Sequence, residues 1–107
     1  MSQVTNIILI VSNIESDETI NQINSFDYDT KVAFKLVGIS NSQLPKGWYG
    51  GDKYFEATVL IGAFNYLPLD KFIIHLKENV NYEDKFLVQL IVKEEHDERF
   101  KIIYIFD

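Results

Sequence analysis

Towards its C-terminal end the chain reads Phe86-Leu-Val-Gln-Leu-Ile-Val92, then Lys93-Glu-Glu-His-Asp-Glu-Arg99, then Phe100-Lys-Ile-Ile-Tyr-Ile-Phe106. β-Branched and aromatic side chains favour strands because they pack well on a pleated surface. Two such runs on either side of one charged run are typical of an antiparallel hairpin. We therefore expect strands at Phe86–Val92 and Phe100–Phe106, joined by a charged turn.

Three further strands are expected upstream of this hairpin. The run Asn6–Ser12 is apolar without alternation, which indicates a central strand covered on both faces. In Lys31–Ser40, apolar residues alternate with lysines, so this strand should have one polar face. Apolar residues occupy both faces of a third run, Lys53–Asn65.

Two helices separate these strands. Ser16 is a good N-cap, and Asp17 and Glu18 suit the positive end of a helix dipole, which predicts a short helix within Asn13–Asp27. Pro68 can begin the first turn of a second helix. This second helix shows the clearest amphipathic spacing, with apolar residues at Leu69, Phe72, Ile73, Leu76 and Val80.

The resulting element order is β-α-β-β-α-β followed by an extra C-terminal β-strand. The first six elements match the split β-α-β plan of ferredoxin-like folds. We therefore expect a single α+β domain over residues 1–107, a ferredoxin-like sandwich in which an antiparallel-rich sheet carries two helices on one face.

Composition narrows the classes of function. The chain has 107 residues, no cysteine and a formal net charge of −6. An acidic chain lacks the basic footprint that nucleic acid and anionic membranes require, so we expect neither as a partner. No apolar run approaches the length of a membrane span, and the N-terminus lacks the basic residues of a signal peptide. These features favour a cytoplasmic protein, and no sequence motif indicates a cofactor.

The sheet pattern also points to a partner. Two helices cover one face only, yet the runs at 7–11, 86–92 and 100–106 place apolar residues on both faces. A large exposed apolar patch usually marks an interface. The open sheet face could form a homodimer or bind another protein. Alternatively, the loop Asn41–Asp52 could fold over the patch with Leu44, Trp48 and Tyr49.

That loop supplies the first candidate binding residues. Trp48 and Tyr49 are residue types that often anchor interfaces, and the adjacent glycines allow a close approach. The predicted binding set here is Trp48, Tyr49, Gly50, Gly51 and Asp52. The simpler interpretation is that Trp48 fills the edge of the core, because tryptophan is highly buried on average.

The charged turn supplies the second set, namely Glu94, Glu95, Asp97 and Glu98. Such acidic residues could attract a basic protein partner. With His96 they resemble a set of metal ligands, but neighbouring side chains on a turn point apart, so a solvated turn is the better interpretation and no metal is predicted. His75, on the second helix, is expected at a boundary or on the surface.

Two classes of function remain open. The first is a small acidic protein-binding domain, such as a stoichiometric inhibitor that occludes its partner; toxin-neutralising immunity proteins are similar in size, charge and lack of a catalytic motif. The second is a dimeric ferredoxin-like domain that binds a small molecule or acts as a cofactor-free enzyme. Tyr54, Tyr66, Tyr104 and His75 would then be the available polar groups.

Overall fold

The computed structural model describes residues 3–12, 15–28, 33–38 and 57–106. In these ranges the protein is α+β, with five strands and two helices. In chain order they are β1 Val4–Val11, α1 Asp17–Asn24, β2 Val37–Gly38, β3 Thr58–Asn65, α2 Leu69–Glu78, β4 Gln89–Lys93 and β5 Lys101–Tyr104. A single 3-10 turn, Lys85–Leu87, precedes β4.

The five strands form one sheet in the order β2-β3-β1-β4-β5, and every adjacent pair is antiparallel. β1 lies at the centre, where Leu9 pairs with Leu60 of β3 on one side and with Leu90 of β4 on the other. A central strand has neighbours along both edges. The predicted central position of this strand is confirmed. The expected cover on both faces is wrong, because burial alternates along β1 and leaves Ile8 and Ile10 only partly buried.

Burial alternates along the sheet and separates its two faces. In β1 the side chains of Ile7, Leu9 and Val11 are buried, and they belong to the same core cluster as Ile23 of α1 and Phe72 of α2. Both helices therefore pack on this face. The opposite face, which carries Asn6, Ile8 and Ile10 of β1, is called the open face below.

Helix α1 begins as the sequence predicts. The Ser16 hydroxyl oxygen accepts a hydrogen bond from the Thr19 backbone N–H at 3.2 Å, which satisfies one of the unpaired donors of the first turn. The Thr19 hydroxyl donates in turn to the Asn81 carbonyl at 2.8 Å. This pair of bonds joins the start of α1 to the connection between α2 and β4.

Several strand boundaries differ from the predictions. Phe86 and Leu87, expected in β4, lie in the 3-10 turn, where the Asp84 carboxylate accepts from the Phe86 N–H at 3.1 Å. This local side-chain bond gives the backbone an alternative to the sheet ladder. Within the described residues 33–38, only Val37–Gly38 is strand. Both ends of the second predicted strand, residues 31–32 and 39–40, lie outside the described residues. So does the start of the third, residues 53–56.

Candidate functional site

An apolar row crosses the whole open face. Ile8 of the central strand pairs with Ile61 of β3 on one side and with Ile91 of β4 on the other. The pairing continues outward from Ile61 to Val37 of β2 and from Ile91 to Ile102 of β5. Because directly paired residues project to the same face of a sheet, one apolar side chain from each strand lines up. These five residues are called the apolar row.

Two shorter rows flank the apolar row. On one side, Ile10 pairs with Val59 and with Gln89, and Gln89 pairs with Tyr104. On the other side, Asn6 pairs with Ala63 and with Lys93. Among the residues of the five described strands, Lys93 is the only charged one that projects to this face, and it lies at the border of the patch.

The row is accessible at its edges. The exposed fractions are 51% for Val37, 40% for Ile61 and 53% for Ile102, and Tyr104, next to Ile102 on β5, is 58% exposed. Ile8 and Ile91, at the centre, are partly buried between their neighbours. Single exposed apolar residues are normal on a protein surface, but a contiguous patch of them marks an interaction site. The open face is therefore the candidate functional site.

Several carboxylates of the acidic turn, Glu94–Glu98, form hydrogen bonds or ion pairs within the protein. The Asp97 carboxylate accepts from the Glu94 N–H, and the Asp97 N–H donates to the Glu94 carbonyl, both at 3.0 Å. The Lys101 ammonium lies 3.6 Å from the Glu94 carboxylate and 3.8 Å from that of Asp97. The Val4 N–H donates to Glu95 at 3.5 Å. The Lys101 ammonium thus offsets part of the negative charge of the turn, and backbone N–H groups bind two of its carboxylates.

The other predicted binding set, Trp48, Tyr49, Gly50, Gly51 and Asp52, lies outside the described residues. Its proposed role therefore stays a prediction. The described part of the chain contains no group of three or more His, Cys, Asp or Glu side chains that could hold a metal ion. It also contains no helix with the length and apolarity needed to cross a membrane.

The prediction that His75 lies at a boundary or on the surface is wrong. Its ring is buried between the helices, with Nε2 at 2.9 Å from the Gln22 carbonyl and 3.1 Å from the Ile23 carbonyl. Carbonyl oxygens only accept, so Nε2 carries the proton, and Nδ1 accepts from the Asn79 amide at 3.2 Å. His75 thus joins α1 to α2 as a structural residue. Its helical spacing from Phe72 was the sequence signal for this burial.

A surface depression of about 500 Å³ lies between the end of α2 and the 3-10 turn. Its lining includes the rings of Phe86 and Phe106, and the Lys85 ammonium lies 5.3 Å and 5.6 Å from their centroids. Tyr82 also borders it, and its hydroxyl donates to the Leu76 carbonyl at 2.9 Å. Burial, with a smaller contribution from the Glu15 carboxylate, raises the pKa of Tyr82 well above its usual range. The tyrosine therefore keeps its proton and donates a hydrogen bond to the last turns of α2.

Comparison of the chain with models of protein families, with curated proteins and with solved structures finds no match in any of the three.

Proposed function

We propose that this chain is a protein-interaction domain that binds through the open face of its sheet. The observation that carries the proposal is the apolar row, in which each of the five strands contributes one apolar side chain.

We also propose that the fold is the ferredoxin-like plan with β5 added beside β4. Support comes from the order β2-β3-β1-β4 and from the helices that follow β1 and β3.

The expected free energies of binding favour the open face over the acidic turn as the main source of affinity. Full burial of an isoleucine side chain is worth about 1.5–3 kcal/mol, so Ile61 and Ile102, about half exposed, each have roughly 1 kcal/mol left to gain. Exposed ion pairs contribute about 0–1 kcal/mol, and two acids of the turn already face Lys101. The turn is better suited to steering a partner than to holding it.

In its narrower form the proposal makes the domain a stoichiometric inhibitor of the immunity type, which occludes a basic partner protein. The net charge of −6 supports attraction of such a partner. Trp48 and Tyr49 would act as additional anchors for the partner in this form. The broader proposal, a protein-binding open face, does not depend on these two residues.

Capture experiments with matched variants test the broader proposal. Ile102 on the open face and Ile74 on α2 are 53% and 52% exposed, so Ile102→Lys and Ile74→Lys make the same change at equal accessibility on different surfaces. We expect tagged wild-type protein and Ile74→Lys to retain the same stoichiometric protein from a lysate of the native host, and Ile102→Lys to retain at least about 10-fold less, because a buried unpaired charge is costly. Equal retention by Ile102→Lys would contradict the proposal.

A further inference from the structure

We infer that the occupant of the open face is a second copy of this chain, packed sheet to sheet around a twofold axis. This inference rests on the broader form of the proposed function, a protein-binding open face, and names a second copy as the partner in place of the basic protein of the narrower form. Three properties of the face support it: its apolar pattern is self-complementary, it is nearly free of charge, and its area is that of a weak, reversible interface.

The pattern matches itself in either twofold arrangement. When two sheets pack face to face, the axis lies in the plane between them, either along the strands or across them. An axis along β1 places Ile61 opposite Ile91 of the partner subunit and Val37 opposite Ile102 of the partner subunit. An axis across the strands places each row residue opposite its own copy. Both arrangements bring apolar side chains together, as an isologous interface requires.

The charge distribution favours a neutral partner at this face. Lys93, at the border, is the only charged residue that the described strands project to it. The acidic first turns, Asp17 and Glu18 in α1 and Asp70 in α2, lie on the helix layer across the sheet. A basic partner would find no carboxylate among the open-face residues of these strands. The complement of a neutral apolar sheet face is a similar face, which this chain itself supplies.

The area suits a weak, reversible dimer. The three rows hold twelve side chains, because the flanking rows do not reach every strand. At strand spacings of about 4.8 Å and row spacings of about 6.8 Å, two copies would together bury on the order of 800 Å², an area typical of weak or transient interfaces. We therefore expect a dimer of low affinity, which dilution can dissociate.

Sedimentation velocity of the full chain between about 1 and 200 µM tests this inference. We expect wild-type protein and Ile74→Lys to reach twice the chain mass of 12.5 kDa at the higher concentrations. Ile61→Lys, on an interior strand, and Ile102→Lys, on the edge strand, should each raise the dimer dissociation constant at least 10-fold. Circular dichroism identifies variants that fail to fold. If only one of Ile61→Lys and Ile102→Lys folds, that variant alone is enough for the comparison with wild type and Ile74→Lys.

Other outcomes overturn the inference in distinguishable ways. If wild-type protein stays a monomer up to 200 µM, the second copy is excluded. If wild-type protein nevertheless captures a protein from lysate and Ile102→Lys does not, the open face binds a different protein and the proposed function survives. Loss of the dimer in Ile102→Lys but not in folded Ile61→Lys would indicate edge pairing through β5. A monomer whose Trp48 fluorescence shifts in Ile61→Lys but not in Ile74→Lys would mean that residues 39–56 cover the face, which overturns both proposals.

Discussion

At the scale of single residues, Glu15 is a partly buried carboxylate whose two oxygens are in different environments. Its Oε1 accepts from the Glu83 N–H at 2.8 Å, but Oε2 is buried and accepts no hydrogen bond in the part of the chain that the structure describes. Burial raises the pKa of Glu15, the Glu83 N–H partly opposes this, and the carboxylates of Glu83 and Asp84 raise it further. The ionised carboxylate therefore destabilises the folded state.

This environment makes the stability of the protein depend on pH. Since the pKa of Glu15 is higher in the folded than in the unfolded chain, the folded state binds more protons between the two values. The free energy of unfolding should thus fall as pH rises from about 4.5 through the folded pKa. We expect Glu15→Gln, which keeps the Oε1 acceptor, to increase the urea midpoint at pH 7, and the gain should shrink as pH approaches 4.5.

Urea titrations of wild type and variant at pH 7 and pH 4.5 measure this difference. Glu98→Gln, at an exposed position of the acidic turn, is the matched control and should change little at either pH. A Glu15→Gln midpoint below that of wild type at pH 7 would show that the carboxylate stabilises the fold.

At the scale of elements, Gly62 limits the packing of β3 against the core. A Cβ atom added there would lie 2.8 Å from Leu36 Cδ2 and 2.8 Å from Phe64 Cε2. Leu36 is fully buried, and the Phe64 ring is stacked on Phe34 with centroids 4.5 Å apart, so neither side chain can move without disturbing the core. Gly38 differs, because the nearest atoms to its added Cβ are at an ordinary 3.7 Å.

These two glycines provide a paired test of core packing. We expect Gly62→Ala to lower the free energy of unfolding by about 1–3 kcal/mol, the usual cost of overpacking. Gly38→Ala should stay within about 0.5 kcal/mol of wild type. Urea unfolding followed by circular dichroism measures both, and equal losses in the two variants would mean that steric crowding at Gly62 is not what limits β3.

The elements also show what a sequence can and cannot predict. The apolar run predicted β1, the amphipathic spacing predicted α2, and the residue type predicted the Ser16 cap, because each depends on residues close together in the chain. The boundary near Phe86 could not be predicted, because the Asp84 side chain competes with the sheet for the backbone. The presence of apolar residues on both sheet faces was predictable, but their alignment in one row depends on the register between distant strands.

At the scale of the whole molecule, the net charge of −6 opposes association of two copies, while the open face itself is almost neutral. Salt shortens the screening length from about 30 Å at 0.01 M to about 10 Å at 0.1 M. We therefore expect the dissociation constant of the wild-type dimer to fall several-fold as sodium chloride rises from 0.01 to 0.3 M, measured by sedimentation velocity. A dimer that dissociates as salt rises would instead be held by ion pairs.

The central position of β1 affects how the newly made chain folds, because β1 is synthesised before the strands on either side of it. The ribosome releases this strand before its partners around Leu60 and Leu90, which follow about fifty and eighty residues later. Until they emerge, the backbone groups of Ile7–Val11 lack the sheet partners of the finished fold. The strand is therefore made before both of its neighbours but completes its hydrogen bonds only after the second one emerges, and the nascent chain carries an unpaired apolar segment until then.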